Sequence, residues 1–324
     1  MSKQNNKKMK FMDFCSGIGA GRIGAENNGL QCVGHSEIDP NPDMTYNVFF
    51  EDNNNYGDLM KIDISNLPDF DLMIGGFPCQ TFSIAGKREG FADYRGTIIY
   101  GLIRILKQKK IKYFLFENVK GLVNHDKGNT LKQINEKLDE AGYNVYSKVL
   151  DSSYFGVPQK RERIYIVGIR KDLDNKQFIF PQGKERDYNF ESFLDDKNSM
   201  IFDYNSKTFK KYLANKYNKD KYSVQDILNL ENVVVDIRQS DIRLYNKIFP
   251  TLRAGRHGLL YVKDHVIKKL SPYEALLLQG FPKEISEKIK NNKELNKNKV
   301  LSQAGNAMTV NVIQAIIENL KKVF

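Results

Sequence analysis

The chain has 324 residues, 41% hydrophobic and 27% charged, enough for a sizeable core in one large or two modest domains, and no apolar run approaches the roughly 18–20 residues of a membrane span. Lysine and arginine outnumber aspartate and glutamate by 50 to 39, a net charge of +11 that points to a polyanionic partner such as nucleic acid or to a lysine-rich solvated surface. The polar, basic stretch Met1–Lys10 has no signal-peptide core, so a cytoplasmic enzyme is expected, and three cysteines without a CxxC give no zinc site of standard spacing and no disulfide framework.

In chain order, Lys10–Phe14 reads as a short buried strand and Gly19–Asn28 as a helix stopped by Gly29. Gln31–Glu37 is a second strand, Asn41–Phe50 a helix, and Leu72–Gly75 a strand running into Gly75-Gly76-Phe77-Pro78-Cys79. Ile98–Lys109 has an amphipathic helical pattern, Tyr113–Phe116 is a strand, and Thr130–Ala141 is a helix closed by Gly142. Asn144–Leu150 and Arg163–Ile169 are strands separated by a polar turn. The alternation predicts an α/β fold built on a Rossmann-like, doubly wound parallel sheet. From Asp172 to Asn232, Tyr, Asn, Lys and Asp dominate and periodicity fades, which reads as a smaller irregular domain or as a long surface insertion. Glu284–Lys299 is lysine-rich and solvated, and Val310–Lys321 is a terminal helix.

The first strand opens into Ser16-Gly17-Ile18-Gly19-Ala20-Gly21-Arg22-Ile23-Gly24. Glycines there permit a tight turn and close backbone approach of a ligand at a helix N-terminus. Glu37 follows Gly17 by 20 residues and ends the second strand, where a carboxylate accepts hydrogen bonds from ribose hydroxyls. The pair indicates a nucleoside cofactor, a dinucleotide or S-adenosylmethionine, against the plainer reading of a turn that packs helix on strand. Asp58 either meets an adenine amino group or caps a turn.

Cys79 sits in a Gly/Pro-shaped turn after a strand, a poor place for core filler and a good one for an activated thiol. Glu117-Asn118 follow another strand toward the same edge, where the carboxyl could serve a ring nitrogen or cap a helix. In Gln159-Lys160-Arg161-Glu162-Arg163, arginines at a strand entrance clamp oxygens or form an exposed basic turn.

Taken together, these blocks resemble the DNA (cytosine-5) methyltransferase family of bacterial restriction-modification systems. The resemblance runs in the family's order over Lys10–Ile169 and Phe249–Ile317: Asp13–Gly19, Glu37, Gly57-Asp58, Phe77-Pro78-Cys79-Gln80, Glu117-Asn118-Val119 and Gln159–Arg163. Pro250-Thr251-Leu252-Arg253-Ala254, Leu270–Glu274, Gln279–Pro282 and Gly305-Asn306 follow. It implies a catalytic S-adenosylmethionine-dependent domain over 1–171 and 265–324, the last helix returning to it, and a target-recognition domain over 172–264.

By that resemblance Cys79 is the nucleophile, Glu117 meets the N3 edge of cytosine, Asn118 holds neighbouring backbone, Arg163 contacts the carbonyl oxygen and Arg161 supports the site. Asp13, Cys15, Gly17, Ile18, Gly19, Glu37, Ile38, Asp58, Leu59, Pro78, Ile98, Asn306 and Ala307 are expected at the cofactor. Gln80–Gly96 should form a mobile loop that closes over DNA, with Gln80, Ser83, Lys87 and Arg95 as contacts. Gln239 or Ser240 fills the space of the flipped base, Thr251 orients the recognition domain, and Arg253 and Arg256 reach DNA. Partners implied are double-stranded DNA and, as a candidate, a cognate restriction endonuclease; a monomer without metal is expected.

One departure is Cys15, where the family usually has an aromatic residue against the adenine. Ile38 or Ile98 is expected to compensate. Ala307 and Met308 depart more mildly from a small residue and valine.

The chemistry requires this set. Cytosine C5 becomes nucleophilic once a thiolate adds at C6. Glu117 then stabilises charge at N3, a role served by a protonated carboxyl, so its pKa is expected to be raised. The base must leave the duplex to be reached. A tRNA methyltransferase of the same fold is the nearest rival. Its Pro-Pro-Cys and Cys-Phe-Thr signatures are absent. A nicotinamide-dependent dehydrogenase leaves Pro-Cys-Gln and Glu-Asn-Val unexplained, and a catalytically dead DNA-binding module is at odds with intact Cys79, Glu117 and Arg163.

Overall fold

The computed structural model describes all residues except 1–7, 78–97, 186–187, 196–198, 216–217, 219–220, 238–241 and 256–257. In chain order the first elements are β1 (Lys10–Phe14), α1 (Ala20–Glu26), β2 (Gln31–Ser36), α2 (Pro40–Phe50), β3 (Leu72–Gly76), α3 (Ile98–Lys109), β4 (Tyr113–Val119), α4 (Asn129–Glu140) and β5 (Tyr143–Asp151). They continue with β6 (Gln159–Lys160), β7 (Glu162–Arg170), α5 (Lys207–Leu213), α6 (Val224–Leu228), β8 (Val233–Ile237), β9 (Ile242–Asn246), β10 (Phe249–Pro250), β11 (Leu259–Lys263) and β12 (Val266–Lys269). Helices α7 (Pro272–Leu278), α8 (Lys283–Asn291), α9 (Lys297–Asn306) and α10 (Val310–Leu320) close the chain. The chain divides into two compact units: Met1–Asp151 with Glu162–Gly183 and Met308–Phe324, and Ser152–Arg161 with Lys184–Ala307.

The first unit is built on a six-stranded sheet in the order β2-β1-β3-β4-β7-β5. Strands β1 to β4 are parallel, joined by crossover helices as strands of that direction require. The sheet is not wholly parallel, which corrects the sequence expectation: β7 runs antiparallel to both β4 and β5. The physical reason lies in the connection. No crossover helix separates β5 from β7, so the chain returns alongside in the opposite sense. One face of the sheet buries Met12, Phe14, Met73, Phe114 and Phe116 against Ile99, Leu102 and Leu106 of α3 and Ile134 and Leu138 of α4. Helix α10 comes back from the far end of the chain to pack on α1, held at its rim by Asn28 Nδ2 donating to the Gln314 carbonyl at 3.0 Å.

The second unit carries a four-stranded antiparallel sheet, order β12-β11-β8-β9, and a short parallel pair, β6 with β10. The sheet closes over Phe209, Ile227, Val235, Ile242, Leu260, Val262 and Ile267. Among its described residues, the stretch that reads as irregular contains a 3-10 turn over Phe190–Phe193 and the short helices α5 and α6 before β8 begins. Helices α7 to α9 fall in this unit, whereas the sequence reading assigned everything after residue 264 to the catalytic domain. Buried side chains explain the grouping: Gln159 Nε2 donates to the Leu278 carbonyl at 2.8 Å, and Gln279 Nε2 to that of Ala304 at 2.7 Å.

Candidate active site

One row of the first unit's sheet reads Ser36, Phe14, Gly75, Phe116, Ile166 across five strands. Just beyond it lie Cys15 and Glu37 after β1 and β2, the Gly76–Glu117 pair of β3 and β4, and the entrance of antiparallel β7 at Glu162 and Arg163. This is the carboxyl edge of the parallel strands, where sheets of this class take their ligands. The topology therefore gathers the Gly-rich turn with Glu37 and the Glu117–Arg163 pair onto one edge.

Strand β4 extends to Val119, so Glu117 and Asn118 are strand residues pointing to opposite faces. Glu117 pairs across to Tyr165 and Val119 to Arg163, which makes Glu117 and Arg163 diagonal neighbours on one face. Arg163 Nε lies 3.1 Å from Glu117 Oε1, and Glu117 is only 8% exposed. The Arg163 guanidinium also donates from Nη1 to the Glu162 carbonyl at 2.8 Å, fixing its approach. Asn118, 2% exposed, donates from Nδ2 to the Phe77 carbonyl at 2.8 Å, while its Oδ1 accepts from the Val119 amide. It thus anchors the backbone two residues before Cys79. Lys120 and Glu162, 2.8 Å apart, form an exposed ion pair beside this set that sequence reasoning did not single out.

On the cofactor side, Cys15, Gly17 and Gly19 all have positive φ, at 50°, 54° and 84°. A Cβ built on Gly17 meets no atom within 4 Å, so the loop opens onto free space where a ligand can approach main chain. Glu37 Oε2 accepts from the Gly17 amide and Oε1 from the Asp39 amide, each at 2.9 Å. Each oxygen keeps a lone pair for a ribose hydroxyl. Burial raises the Glu37 pKa, opposed by those amide bonds. Ile38 beside it is 60% exposed, an apolar surface suited to an adenine. Donor set and open backbone match a nucleoside cofactor such as S-adenosylmethionine.

The structure also found a residue that looked like plain loop. Asn55 Oδ1 accepts from the Glu37 and Gly57 amides at 3.0 and 2.8 Å, and its Nδ2 donates to the Glu37 carbonyl at 3.0 Å. It staples the Asp58 turn to the end of β2. Its signal was hidden within the run Asn53-Asn54-Asn55.

Several expected cofactor residues sit elsewhere. Asp13 is fully buried with Oδ2 accepting from the Arg22 amide at 3.2 Å, so its carboxyl caps α1 from beneath rather than meeting a ligand. Burial pushes its pKa well up. The Ile18 and Leu59 side chains are buried, the latter in the core under α3. Ile98 is half-buried against the same core. Asp58 accepts from the Met60 amide at 2.9 Å, the turn-capping alternative. Burial, with Glu37, Asp13 and Asp58 nearby, drives the Cys15 thiol up to about 12, and burial drives Cys32 up to about 11. Neither is a thiolate at neutral pH.

In the second unit, Arg161 is 2% exposed and its guanidinium bonds main-chain carbonyls, so it is a positioning group rather than a contact of the base and no exposed turn. The Thr251 hydroxyl donates to the Lys160 carbonyl at 2.9 Å. Arg253 and Asn306 are exposed and Ala307 half-buried. Pro78, Cys79, Gln80, Ser83, Lys87, Arg95, Gln239, Ser240 and Arg256 lie outside the described residues.

Comparison with known proteins adds an independent line. The model of the C-5 cytosine-specific DNA methylase family matches residues 9–322. Type II methyltransferase M.HaeII of Haemophilus aegyptius is 39% identical over 320 residues, 96% of this chain and 92% of its own length. Orphan methyltransferase M.Rho11sI of Bacillus phage rho11s is 47% identical over 182 residues, 55% of this chain; the chain spans 36% of that relative's length and 44% of that of a second phage relative. Among solved structures, the Entamoeba histolytica methyltransferase EhMeth superposes with a TM-score of 0.69 at 18% identity, covering 98% of this chain and 99% of its own, which supports the fold. With a match running almost end to end and a doubly wound sheet that gathers its motifs at one edge, the chain belongs to the C-5 cytosine-specific DNA methylase family.

Proposed function

We propose that this protein transfers a methyl group from S-adenosylmethionine to C5 of a flipped-out cytosine in a short double-stranded DNA site, with Cys79 as nucleophile. The observation that carries the reading is the Glu117–Arg163 pair, 3.1 Å apart on one face of the sheet, next to a backbone that Asn118 anchors just ahead of Cys79. Burial raises the thiol pKa of both Cys15 and Cys32, so neither is poised as a nucleophile.

Gly17, Glu37 and Ile38 would hold S-adenosylmethionine. When bound, it supplies an electrophilic sulfonium methyl group. The Cys79 thiolate bonds to C6 of the ring, and the displaced electron pair moves toward C5 and N3. Glu117, protonated, donates a hydrogen bond to N3 and stabilises that charge. Arg163 binds the ring carbonyl oxygen, so its guanidinium is shared between the base and the Glu117 side chain. Once C5 is methylated, water takes the C5 proton, and the electron pair it leaves breaks the C6–sulfur bond and frees the thiolate.

A duplex carrying 5-fluorocytosine tests the covalent step, because fluorine cannot leave as a proton does. The wild type should form a denaturation-stable adduct through Cys79, and Cys79→Ser should lose turnover while still binding DNA. Methylation of ordinary cytosine with no adduct on the fluorinated duplex would overturn the covalent scheme. Labelled methyl donor offered with duplex DNA and tRNA side by side should mark the duplex; transfer to tRNA alone would overturn the substrate.

A further inference from the structure

Strands β4 and β7 pair from Tyr113–Ile169 to Val119–Arg163, so Lys120 and Glu162 are the first residues beyond this ladder at the carboxyl edge. Lys120 Nζ lies 2.8 Å from Glu162 Oε1, and the two side chains are 53% and 41% exposed. Main chain ties both residues to the Glu117–Arg163 pair. Glu162 supplies the carbonyl that accepts from Arg163 Nη1 at 2.8 Å. Lys120 follows Val119, whose amide donates to Asn118 Oδ1 at 2.8 Å, and opens the 3-10 turn Lys120–Val123.

The ion pair adds little to stability. Water screens two charges so exposed, and holding two long side chains in one geometry costs entropy. Its carboxylate also has an acidic neighbour. On the other side of β7, Glu162 stands directly opposite Asp151 of β5, an arrangement in which like charges repel. Two acidic residues side by side at this edge oppose the approach of a polyanion, and Lys120 offsets one of them. An exposed cation held by a contact of small worth can be drawn away by a stronger anion.

We propose that Lys120 is a phosphate-binding residue of the DNA site, held by Glu162 in the free protein and passed to a phosphate beside the target cytosine when duplex binds. The inference rests on the reading that Glu117 and Arg163 grip that cytosine. A nucleotide carries its phosphate within a side chain's length of its base, and a lysine ammonium turns three donors on a flexible four-carbon stem. The exchange trades a screened contact with a carboxylate for one with a phosphate, and that contact releases a condensed counterion.

The test uses the full chain and a duplex that the wild type methylates with labelled donor. Binding is followed by fluorescence anisotropy from 50 to 200 mM salt with S-adenosylhomocysteine present. Lys120→Met keeps the apolar stem and should bind about tenfold more weakly at 50 mM and about threefold more weakly at 200 mM, a salt slope lowered by about one phosphate. Lys120→Arg should restore the slope. Glu162→Gln, which releases Lys120, should tighten binding by about threefold, the scale of an exposed ion pair that no longer has to be broken. Opposite signs from the two partners mark an exchange, because a pair that merely braced Arg163 would weaken binding whichever side was removed. An unchanged slope in Lys120→Met, with the duplex still methylated, would overturn the phosphate contact and leave the cytosine reading standing. Weaker binding by Glu162→Gln would overturn the exchange. If the wild type methylates no duplex, the functional reading falls and takes the inference with it.

Discussion

Glu117 and Arg163 hold one another before any base arrives, and this mutual grip decides what each can do. A planar guanidinium can serve a carboxylate and a ring carbonyl at once through different N–H groups, whereas an ammonium is a point charge. Arg163→Lys should therefore fold normally yet lose roughly 10²-fold or more in kcat, the scale of one lost donor at a developing charge; single-turnover methylation under saturating cofactor measures it. Asp13 poses a different problem. Its carboxyl is buried, and that burial raises its pKa above the unfolded value. Its contribution to stability is then fully present below the unfolded carboxylate pKa and is lost as pH rises through the higher folded one. Asp13→Asn keeps an oxygen for the Arg22 amide, so urea melts from acid to neutral pH should show the variant gaining on the wild type as pH increases. The loop motif read Asp13 as a ligand group, because the type of a residue at a strand end says nothing about which side of the loop it faces.

The strands and crossover helices of the first unit were legible because each declares itself locally, by a buried run or a helical period. The reversal of β7 was not, since direction depends on how the chain returns and no local pattern reports it. Likewise Glu117, Asn118 and Arg163 stood out as a motif, but their division of labour came only with the pleat: alternate residues of β4 face opposite ways, so one grips Arg163 and the next holds Phe77. The end of α9 shows the limit most clearly. Gln159 and Gln279 are 120 residues apart, and each was visible only as a letter in a motif. A close approach can still be tested here. Gly305→Ala drives a methyl group into the Arg253–Ala254 peptide, which is backbone and cannot swing aside. Overpacking of that kind costs about 1–3 kcal/mol, so chemical denaturation should place the variant that much below the wild type.

Across the molecule, the net charge of +11 suits the proposed duplex DNA substrate, a polyanion. Phosphate contacts release condensed counterions, so affinity for duplex DNA should fall about 10³-fold or more between 50 and 200 mM salt if at least six phosphates are engaged. Fluorescence anisotropy across that range reads the slope directly; a flat response would assign the lysine excess to solvation, the alternative that composition left open. Cofactor binding should also stabilise the native chain, by about 2.7 kcal/mol at a ligand concentration one hundred times Kd.

The bonds that Arg161 makes all end on peptide oxygens, at Leu252, Gly305 and Ala307. Such oxygens are the same whatever amino acid supplies them. The four-stranded sheet of the second unit has β8 and β9 before Leu252 and β11 and β12 after it, so any exchange of that sheet carries one of the three acceptors with it. Leu252 and Ala307 can therefore change side chain without taking an acceptor from Arg161, whereas Gly305 is held to glycine by the Arg253–Ala254 peptide against it.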